Sequence, residues 1–141
     1  MYGRYVVRFR ADAVPGYKTA WLVWPDSESW PYDAEIDFPE GNLDGSINGF
    51  VNHQGATSGA DQAASTTNVT YTGWQTAAIT WLPTGVTFQL DGTTIGTETS
   101  PVPNTPMHLV LHTETSTIGA GPTSSASGNV QIDWISVYSP A

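Results

Sequence analysis

Short runs of alternating apolar and polar residues, separated by turn signals, extend over most of the chain and constrain its fold more than any other feature. Tyr5, Val7 and Phe9, for example, alternate with Arg8 and Arg10. This period of two is typical of β-strands, and no stretch of about ten residues shows a helical period. The same criteria predict strands at Thr19–Trp24, Ala34–Phe38, Ser46–Asn52, Trp74–Trp81, Val86–Leu90, Thr93–Glu98, Met107–Glu114 and Val130–Tyr138. Many short strands with Gly and Pro turns indicate an all-β sandwich or jelly roll of two antiparallel sheets.

Two long Ser-, Thr- and Gly-rich stretches, Gln54–Thr67 and Ser116–Gly128, interrupt the strand pattern and are predicted to be loops. Loops of this length in a compact β domain are often functional. The segment Gly59–Ser65 is too short for a helix and is expected to remain a loop. The 141 residues fit a single domain, residues 1–141, and we expect Trp81 and Trp134 to lie in its core.

The charge of the chain is strongly acidic, with 13 Asp and Glu against 4 Lys and Arg. The bases Arg4, Arg8, Arg10 and Lys18 all precede Thr19. Because phosphate binding requires clustered Lys and Arg, we expect no nucleic-acid partner. No run of about 18 apolar residues occurs, so we expect no membrane partner either. A neutral, hydroxyl-rich partner fits this composition better.

The amino-acid composition also bears on location. Cysteine is absent, so disulfides and thiolate metal sites are excluded. A surface rich in Ser, Thr and Gly and poor in Lys is common in secreted domains, and we therefore expect a secreted, extracellular protein. The sequence itself contains no signal-peptide pattern.

An acidic strand precedes the first long loop. Because side chains alternate along a strand, Glu35 and Asp37 share one face. Simple alternation would place Glu40 on the other face, but Pro39 cannot donate a ladder hydrogen bond and favours a bulge. A one-residue bulge at Phe38–Pro39 returns Glu40 to the face of the other two acids. Their Cα atoms would then span roughly 13 Å, and inward-leaning glutamates can close their carboxyl groups to the ~5 Å of a retaining glycosidase.

Crowded acids have two other interpretations, a solvated acidic strand and a calcium site. Like charges on one face repel each other and destabilise the fold, so a chain keeps them chiefly where they serve a function. Their shared negative field raises the pKa of at least one of them. Trp30 stands just before the acids, and Trp24 precedes it. Aromatic faces beside paired carboxylates are how proteins stack on sugar rings, although a Trp in a sandwich is more often part of the core.

Five segments together resemble glycoside hydrolase family 16, the laminarinase and lichenase group. They are "YGRYVVRFR", "WPDSESWPYDAEIDFPEG", "WQTAAITWLPTGVTFQLDGT", "TPMHLVLHTET" and "VQIDWISVYSP", in the family's order from Tyr2 to Pro140. The acidic motif has the bulged form of laminarinase-like members. The resemblance implies a concanavalin A-like jelly roll with a concave cleft. It also implies a retaining endo-β-glycosidase that hydrolyses β-1,3- or mixed β-1,3/1,4-glucan, with a polysaccharide as its partner.

The resemblance assigns roles to individual residues. Glu35 matches the nucleophile, Glu40 the general acid/base, and Asp37 the aspartate that hydrogen-bonds the nucleophile and tunes its protonation. Trp30 matches a tryptophan that contacts the sugar next to the scissile bond. His53 resembles a position of the family's cleft-lining strand.

The strand at Met107–Glu114 carries further candidates. Met107, Leu109 and Leu111 are expected in the core, whereas His112 and Glu114, on the opposite face, are candidates for binding sugar hydroxyls or plain solvent-facing residues. His108 and His112 would be about 13 Å apart on a strand, too far to share a zinc ion, so we expect no such metal site.

The resemblance also bears on a structural calcium ion and on the length of the domain. Asp133 matches an aspartate that holds a structural calcium in many relatives, with other ligands from N-terminal segments. The first family segment starts here at Tyr2, so we expect an N-terminally shortened domain that requires no cofactor, with structural calcium left open. A shortened sandwich would leave strand edges uncovered, which favours self-association. The alternative function is a lectin-like sandwich that binds glycan without cleaving it.

Overall fold

The computed structural model describes residues 2–140, which form ten β-strands. No helix long and apolar enough to cross a membrane occurs in these residues. The strands are β1 (Gly3–Ala11), β2 (Tyr17–Pro25), β3 (Glu35–Asn42), β4 (Ser46–Asn52), β5 (Gln62–Thr70), β6 (Gln75–Leu82), β7 (Gly85–Leu90), β8 (Thr93–Glu98), β9 (Met107–Thr115) and β10 (Val130–Tyr138).

The strands form two five-stranded antiparallel sheets packed face to face. The outer sheet has the order β10-β1-β6-β7-β8, and the inner sheet has the order β5-β4-β3-β2-β9. Alternate residues of each strand point between the sheets, so Phe9, Trp21, Ile36, Trp81 and Val86 are almost fully buried there. The all-β sandwich and the core position of Trp81 are confirmed.

Strand β5 corrects the prediction that residues 54–67 form a loop, because only residues 53–61 do. β5 is an edge strand paired with β4 alone, and its inward side chains are small. Ser65 packs so closely on Gly96 of β8 that a Cβ atom at Gly96 would lie 1.8 Å from the Ser65 hydroxyl. A strand whose inner face carries only small residues lacks the apolar alternation by which strands are recognised.

Trp134 is the second correction, since it lies on the outer surface and is 39% exposed. The ladder between β1 and β10 pairs Arg8 with Trp134 and Phe9 with Ile132, which leaves Asp133 as the extra residue of a bulge. Directly paired residues share a face, so Trp134 points outward with Arg8.

The edge of the sandwich formed by β10 is open. Val7 and Phe9 point into the core, and their ladder partners Ile135 and Ile132 therefore point to the same side. Ile132 and Ile135 are nevertheless each 43% exposed, and Val137 is 59% exposed. Inward-facing apolar side chains on this strand thus remain accessible to solvent.

Candidate active site

The bulge predicted in β3 is present. Asp37 pairs with Phe50 and Glu40 with Asn48, so three steps on β3 match two steps on β4. The extra residue lets Phe38 and Pro39 both be buried. Glu40 consequently returns to the face of Glu35 and Asp37, and all three carboxyl groups line one cleft on the inner sheet.

The cleft has a volume of about 450 Å³ and crosses β2, β3 and β9. Its floor on β2 is apolar, with Ala20 and Leu22 between Lys18 at one end and Trp24 at the other. Because these four residues alternate with buried neighbours, one face of β2 forms the floor and the other enters the core. The cleft-lining side chains predicted from the sequence are Trp24, Trp30, Glu35, Asp37, Glu40, His112 and Glu114.

Glu35 is held by several hydrogen-bond donors. Trp30 donates from Nε1 to Oε2 of Glu35 at 2.8 Å, and Asn52 donates from Nδ2 to the same oxygen at 3.1 Å. Burial raises the pKa of Glu35 above its ordinary value of 4.5, whereas the hydrogen bonds from Trp30 and Asp37 lower it. The side chain is therefore fixed in orientation, and its hydrogen-bond donors offset part of the cost of burying its negative charge.

Asp37 is the buried member of the three acids, with 3% exposure. Burial raises its pKa well above the ordinary value of 3.8, and the charges of Glu35 and Glu40 raise the pKa further. A neutral Asp37 can donate a hydrogen bond to Glu35. Burial thus favours the protonated form of Asp37 next to the candidate nucleophile.

Glu40 faces a cation. Lys18 donates from Nζ to Oε1 of Glu40 at 2.7 Å and lies 3.8 Å from Oε1 of Glu114. Burial lowers the pKa of Lys18, but the hydrogen bond and charge of Glu40 and the charges of Glu114 and Asp37 outweigh it, so the pKa rises. Glu35 and Glu40 therefore differ in their partners, although both lie on one strand.

His53 is not part of the cleft, which corrects the sequence-based prediction. β4 ends at Asn52, and Asn52 pairs with Glu35 across the ladder and shares its face. A shift of one residue reverses the face of a strand, so Asn52 occupies the position expected for His53. The Nδ1 atom of His53 instead lies 2.8 Å from Oδ1 of Asp61, closing the loop of residues 53–61.

That loop supports Trp30. A Cβ atom at Gly59 would lie 2.4 Å from Cη2 of Trp30, so the absence of a side chain lets the loop backbone approach the indole ring. Gly59 also lines the cleft. The closed loop thereby holds Trp30 where its Nε1 reaches Glu35.

Sequence reasoning did not identify Lys18, Asn52 or Gly59 as site residues. Lys18 stands two residues before Ala20 on the face of β2 that the cleft uses, so alternation from Trp24 would have reached it. Asn52 would have followed from pairing β4 with β3. Gly59 carries no signal in the sequence, because its role depends on a contact between two loops.

The arrangement of His, Asp and Glu side chains bears on metal binding. Within residues 2–140, no group of three or more His, Asp and Glu side chains is arranged to hold a metal ion. His108 contacts Asp26, with Nδ1 and Oδ1 2.6 Å apart. Oδ2 of Asp133 lies 2.6 Å from a guanidinium nitrogen of Arg8. The carboxylate of Asp133 is thus paired with the guanidinium of Arg8.

The profile of the family described as Glycosyl hydrolases family 16 matches residues 1–136. No curated protein shows a matching sequence. The fold is similar to that of the laminarinase catalytic domain from Thermotoga maritima MSB8, with a TM-score of 0.84 and 19% identity over 99% of this chain and 64% of that chain. The laminarinase from Rhodothermus marinus gives a TM-score of 0.83 and 24% identity, over 97% of this chain and 65% of that chain.

An endo-β-galactosidase from Clostridium perfringens, which releases GlcNAcα1-4Gal, also shares the fold. Its TM-score is 0.76 at 21% identity, over 99% of this chain and 38% of that chain. At these identities the solved structures show the fold alone, and the chain spans less than two thirds of the length of each. The family profile, in contrast, covers nearly every residue from the first strand to the last, and the chain belongs to glycosyl hydrolases family 16.

Proposed function

We propose that the chain is a retaining endo-β-glycosidase that cleaves β-1,3- or mixed β-1,3/1,4-glucan by double displacement. The observation that carries this proposal is the pair of glutamates, Glu35 and Glu40, on one face of a bulged strand in a cleft, each with its own partners. Membership of the family and the laminarinase folds support it. A secreted location, as the composition suggests, would bring the protein to such polymers.

In the first step, a carboxylate oxygen of Glu35 attacks the anomeric carbon while Glu40 protonates the glycosidic oxygen. The bond between the anomeric carbon and that oxygen breaks, and the leaving sugar departs as an alcohol. Trp30 and Asn52 hold Glu35 through Oε2, which orients the nucleophile. A hydrogen bond from the protonated form of Asp37, which burial favours, stabilises the carboxylate before the attack.

In the second step, Glu40 takes a proton from a water molecule, and the water oxygen attacks the anomeric carbon of the glycosyl-enzyme. The bond to Glu35 breaks and its carboxylate is regenerated. Two displacements on opposite faces of the sugar ring give a product with the β configuration of the substrate.

The surface of the cleft favours a neutral glycan. Ala20 and Leu22 provide an apolar floor, while Trp24 and Trp30 offer aromatic surface against which the apolar face of a sugar can stack. The cleft holds four acids and a single lysine, so a polymer rich in carboxylates would be repelled. A laminarinase and an endo-β-galactosidase share this fold, so the fold does not determine which glycosidic linkage is cleaved. An experiment must decide it.

The test uses laminarin, lichenan and a β-1,4-linked galactan as substrates, with reducing ends as the measurement and the Glu35→Gln variant as the blank. We expect new reducing ends from laminarin or lichenan and a first product in the β configuration by NMR. Cleavage of the galactan alone would contradict the glucan assignment, and an α product would contradict double displacement. Binding of all glycans without cleavage would support the lectin-like alternative.

A further inference from the structure

Among the described residues that line the cleft, Lys18 is the one lysine or arginine. Its neighbours on this face of β2 are small or apolar, and its ladder partners are Asn42 on β3 and Glu114 on β9. The side chains of Lys18 and Glu40 are only 17% and 19% exposed. A long, flexible side chain is thus ordered and largely withdrawn from water beside the candidate acid/base.

Several charged or titratable side chains line the cleft around Glu40, and Lys18 carries the charge opposite to that of the acids among them. Glu35 and Asp37 come from the same strand, and Glu114 and His112 come from β9. Lys18 directs its ammonium to Oε1 of Glu40 at 2.7 Å, whereas Glu114 is farther away at 3.8 Å. Although burial lowers the pKa of Lys18, the neighbouring acids raise it, which favours the charged ammonium.

We propose that Lys18 is a positioning residue for Glu40, an inference that rests on the proposed function. Oε1 accepts the hydrogen bond from the Lys18 ammonium, and an acid proton bound to the same oxygen would compete with that donor. The transferable proton is therefore carried by Oε2, and the ion pair turns that oxygen toward the glycosidic oxygen. When the bond to the anomeric carbon breaks, its electron pair stays on the glycosidic oxygen, which takes the proton from Oε2.

The test compares substrates that differ in their need for the proton. An oligosaccharide leaves as a poor alkoxide and requires protonation, whereas a 2,4-dinitrophenyl β-glycoside of the same sugars releases a stable phenolate without it. For Lys18→Met we expect kcat/KM on the oligosaccharide to fall about 10- to 100-fold, since general acid catalysis contributes about 10²- to 10⁴-fold. On the dinitrophenyl substrate the fall should be about threefold or less. Lys18→Arg should restore part of the oligosaccharide activity.

Arg10→Met is the matched control, because it removes a base that lies on the outer sheet, next to Gln131 and away from the cleft. It should leave both activities unchanged. Should Lys18→Met not fold, as judged by its circular dichroism, Lys18→Gln provides the second neutral variant. Equal losses on the two substrates, or no loss on either, would overturn the role of Lys18 while leaving the proposed function in place. A wild-type protein that cleaves neither substrate would overturn the proposed function itself, and the role of Lys18 with it.

Discussion

Glu35, Asp37 and Glu40 share one face of β3 but differ in their surroundings. Asp37 is buried with a raised pKa, Glu35 accepts hydrogen bonds from Trp30 and Asn52, and Glu40 pairs with a lysine. Environments that separate acids in this way allow one to act as a nucleophile and another as an acid and base. The repulsion between the three is reduced because burial favours the neutral form of Asp37.

Replacing either glutamate by glutamine should abolish most turnover while preserving the fold. Glu35→Gln removes the nucleophile and should leave no detectable cleavage, and Glu40→Gln should lower kcat on glucan about 10²- to 10⁴-fold. Isothermal titration with a glucan oligosaccharide should show binding by both variants. The control is Glu98→Gln on β8, in the outer sheet. Wild-type turnover in either variant would remove that glutamate from the mechanism.

The raised pKa of Asp37 should make the protein more stable in mild acid than at neutral pH. Because its pKa is higher in the folded than in the unfolded chain, the folded state holds a proton that the unfolded state loses above about pH 3.8. This stabilisation is complete below pH 3.8 and is lost as the pH rises through the folded pKa, at most about 1.4 kcal/mol per pH unit. Burial raises the pKa of Glu35 as well, which adds to the trend.

Urea unfolding between pH 4 and pH 7 measures this dependence. Asp37→Asn should flatten the curve and raise the free energy of unfolding at pH 7, because the buried aspartate must either take up a proton or ionise at that pH and the amide does neither. Asp44→Asn, at an exposed turn position, should leave the curve as it is. A wild-type protein whose stability increases steadily from pH 4 to pH 7 would contradict this account.

Individual site residues could be predicted where a local pattern determines them. Alternation and Pro39 were enough to place Glu35, Asp37 and Glu40 together, since both signals lie within β3. Alternation from the buried Val51 places Asn52 on the cleft face. His53 was instead assigned from the family resemblance, and a shift of one residue reverses the face of a strand.

Among the elements, the loop of residues 53–61 connects β4 to β5 and also supports the cleft. His53 closes it through Asp61, and Gly59 lies against the Trp30 ring. The loop thus connects the end of β4 to Trp30, whose indole donates a hydrogen bond to Glu35. Its effect on the site is geometric, since the supporting residue Gly59 has no side chain to bind sugar.

Gly59→Ala should therefore impair catalysis from a position without chemistry of its own. The added methyl group would overlap the indole of Trp30, which must move and weaken its hydrogen bond to Glu35. We expect kcat/KM to fall about 10- to 100-fold, in line with the cost of misplacing a catalytic group by about 1 Å. Gly121→Ala, where nothing lies within 4 Å of the new atom, is the control. Equal activity of both variants would show that the loop does not position Trp30.

Elements were predictable where large apolar residues alternate, and less so elsewhere. Strands β4, β8 and β10 begin and end at the predicted residues. β5 was missed because its inward residues, such as Ser65, are small enough to face Gly96. The bulge at Asp133 places Trp134 on the outward face of the sheet, whereas the core was predicted. A bulge that contains no proline or glycine cannot be recognised from the sequence pattern.

At the scale of the whole molecule, the open edge at β10 matters most. Ile132, Ile135 and Val137 face the interior of the sandwich yet remain accessible, and β10 pairs on only one side. A free edge next to exposed apolar side chains is a template for another strand. We therefore expect this chain to associate with itself through β10.

Sedimentation velocity over a wide range of concentrations tests this expectation. The wild type should shift from monomer to larger species as its concentration rises, and Ile135→Lys should return it to monomer by placing a charge on the apolar face. Tyr138→Lys is the control, because Tyr138 is exposed on the same strand but pairs with Arg4 and faces outward. A wild type that stays monomeric at every concentration would contradict the prediction.

The placement of the four basic residues has a consequence for digestion by trypsin, which cuts after Arg and Lys. Arg4, Arg8 and Arg10 lie in β1, and Lys18 lies in β2, and both strands are paired on either side within their sheets. A protease needs an extended, unpaired segment, so none of these bonds can be cut until the centre of a sheet opens. The folded chain should thus resist trypsin as long as the sandwich is intact. Once it opens, cleavage would leave one large fragment that begins at Thr19 and contains the whole acidic strand.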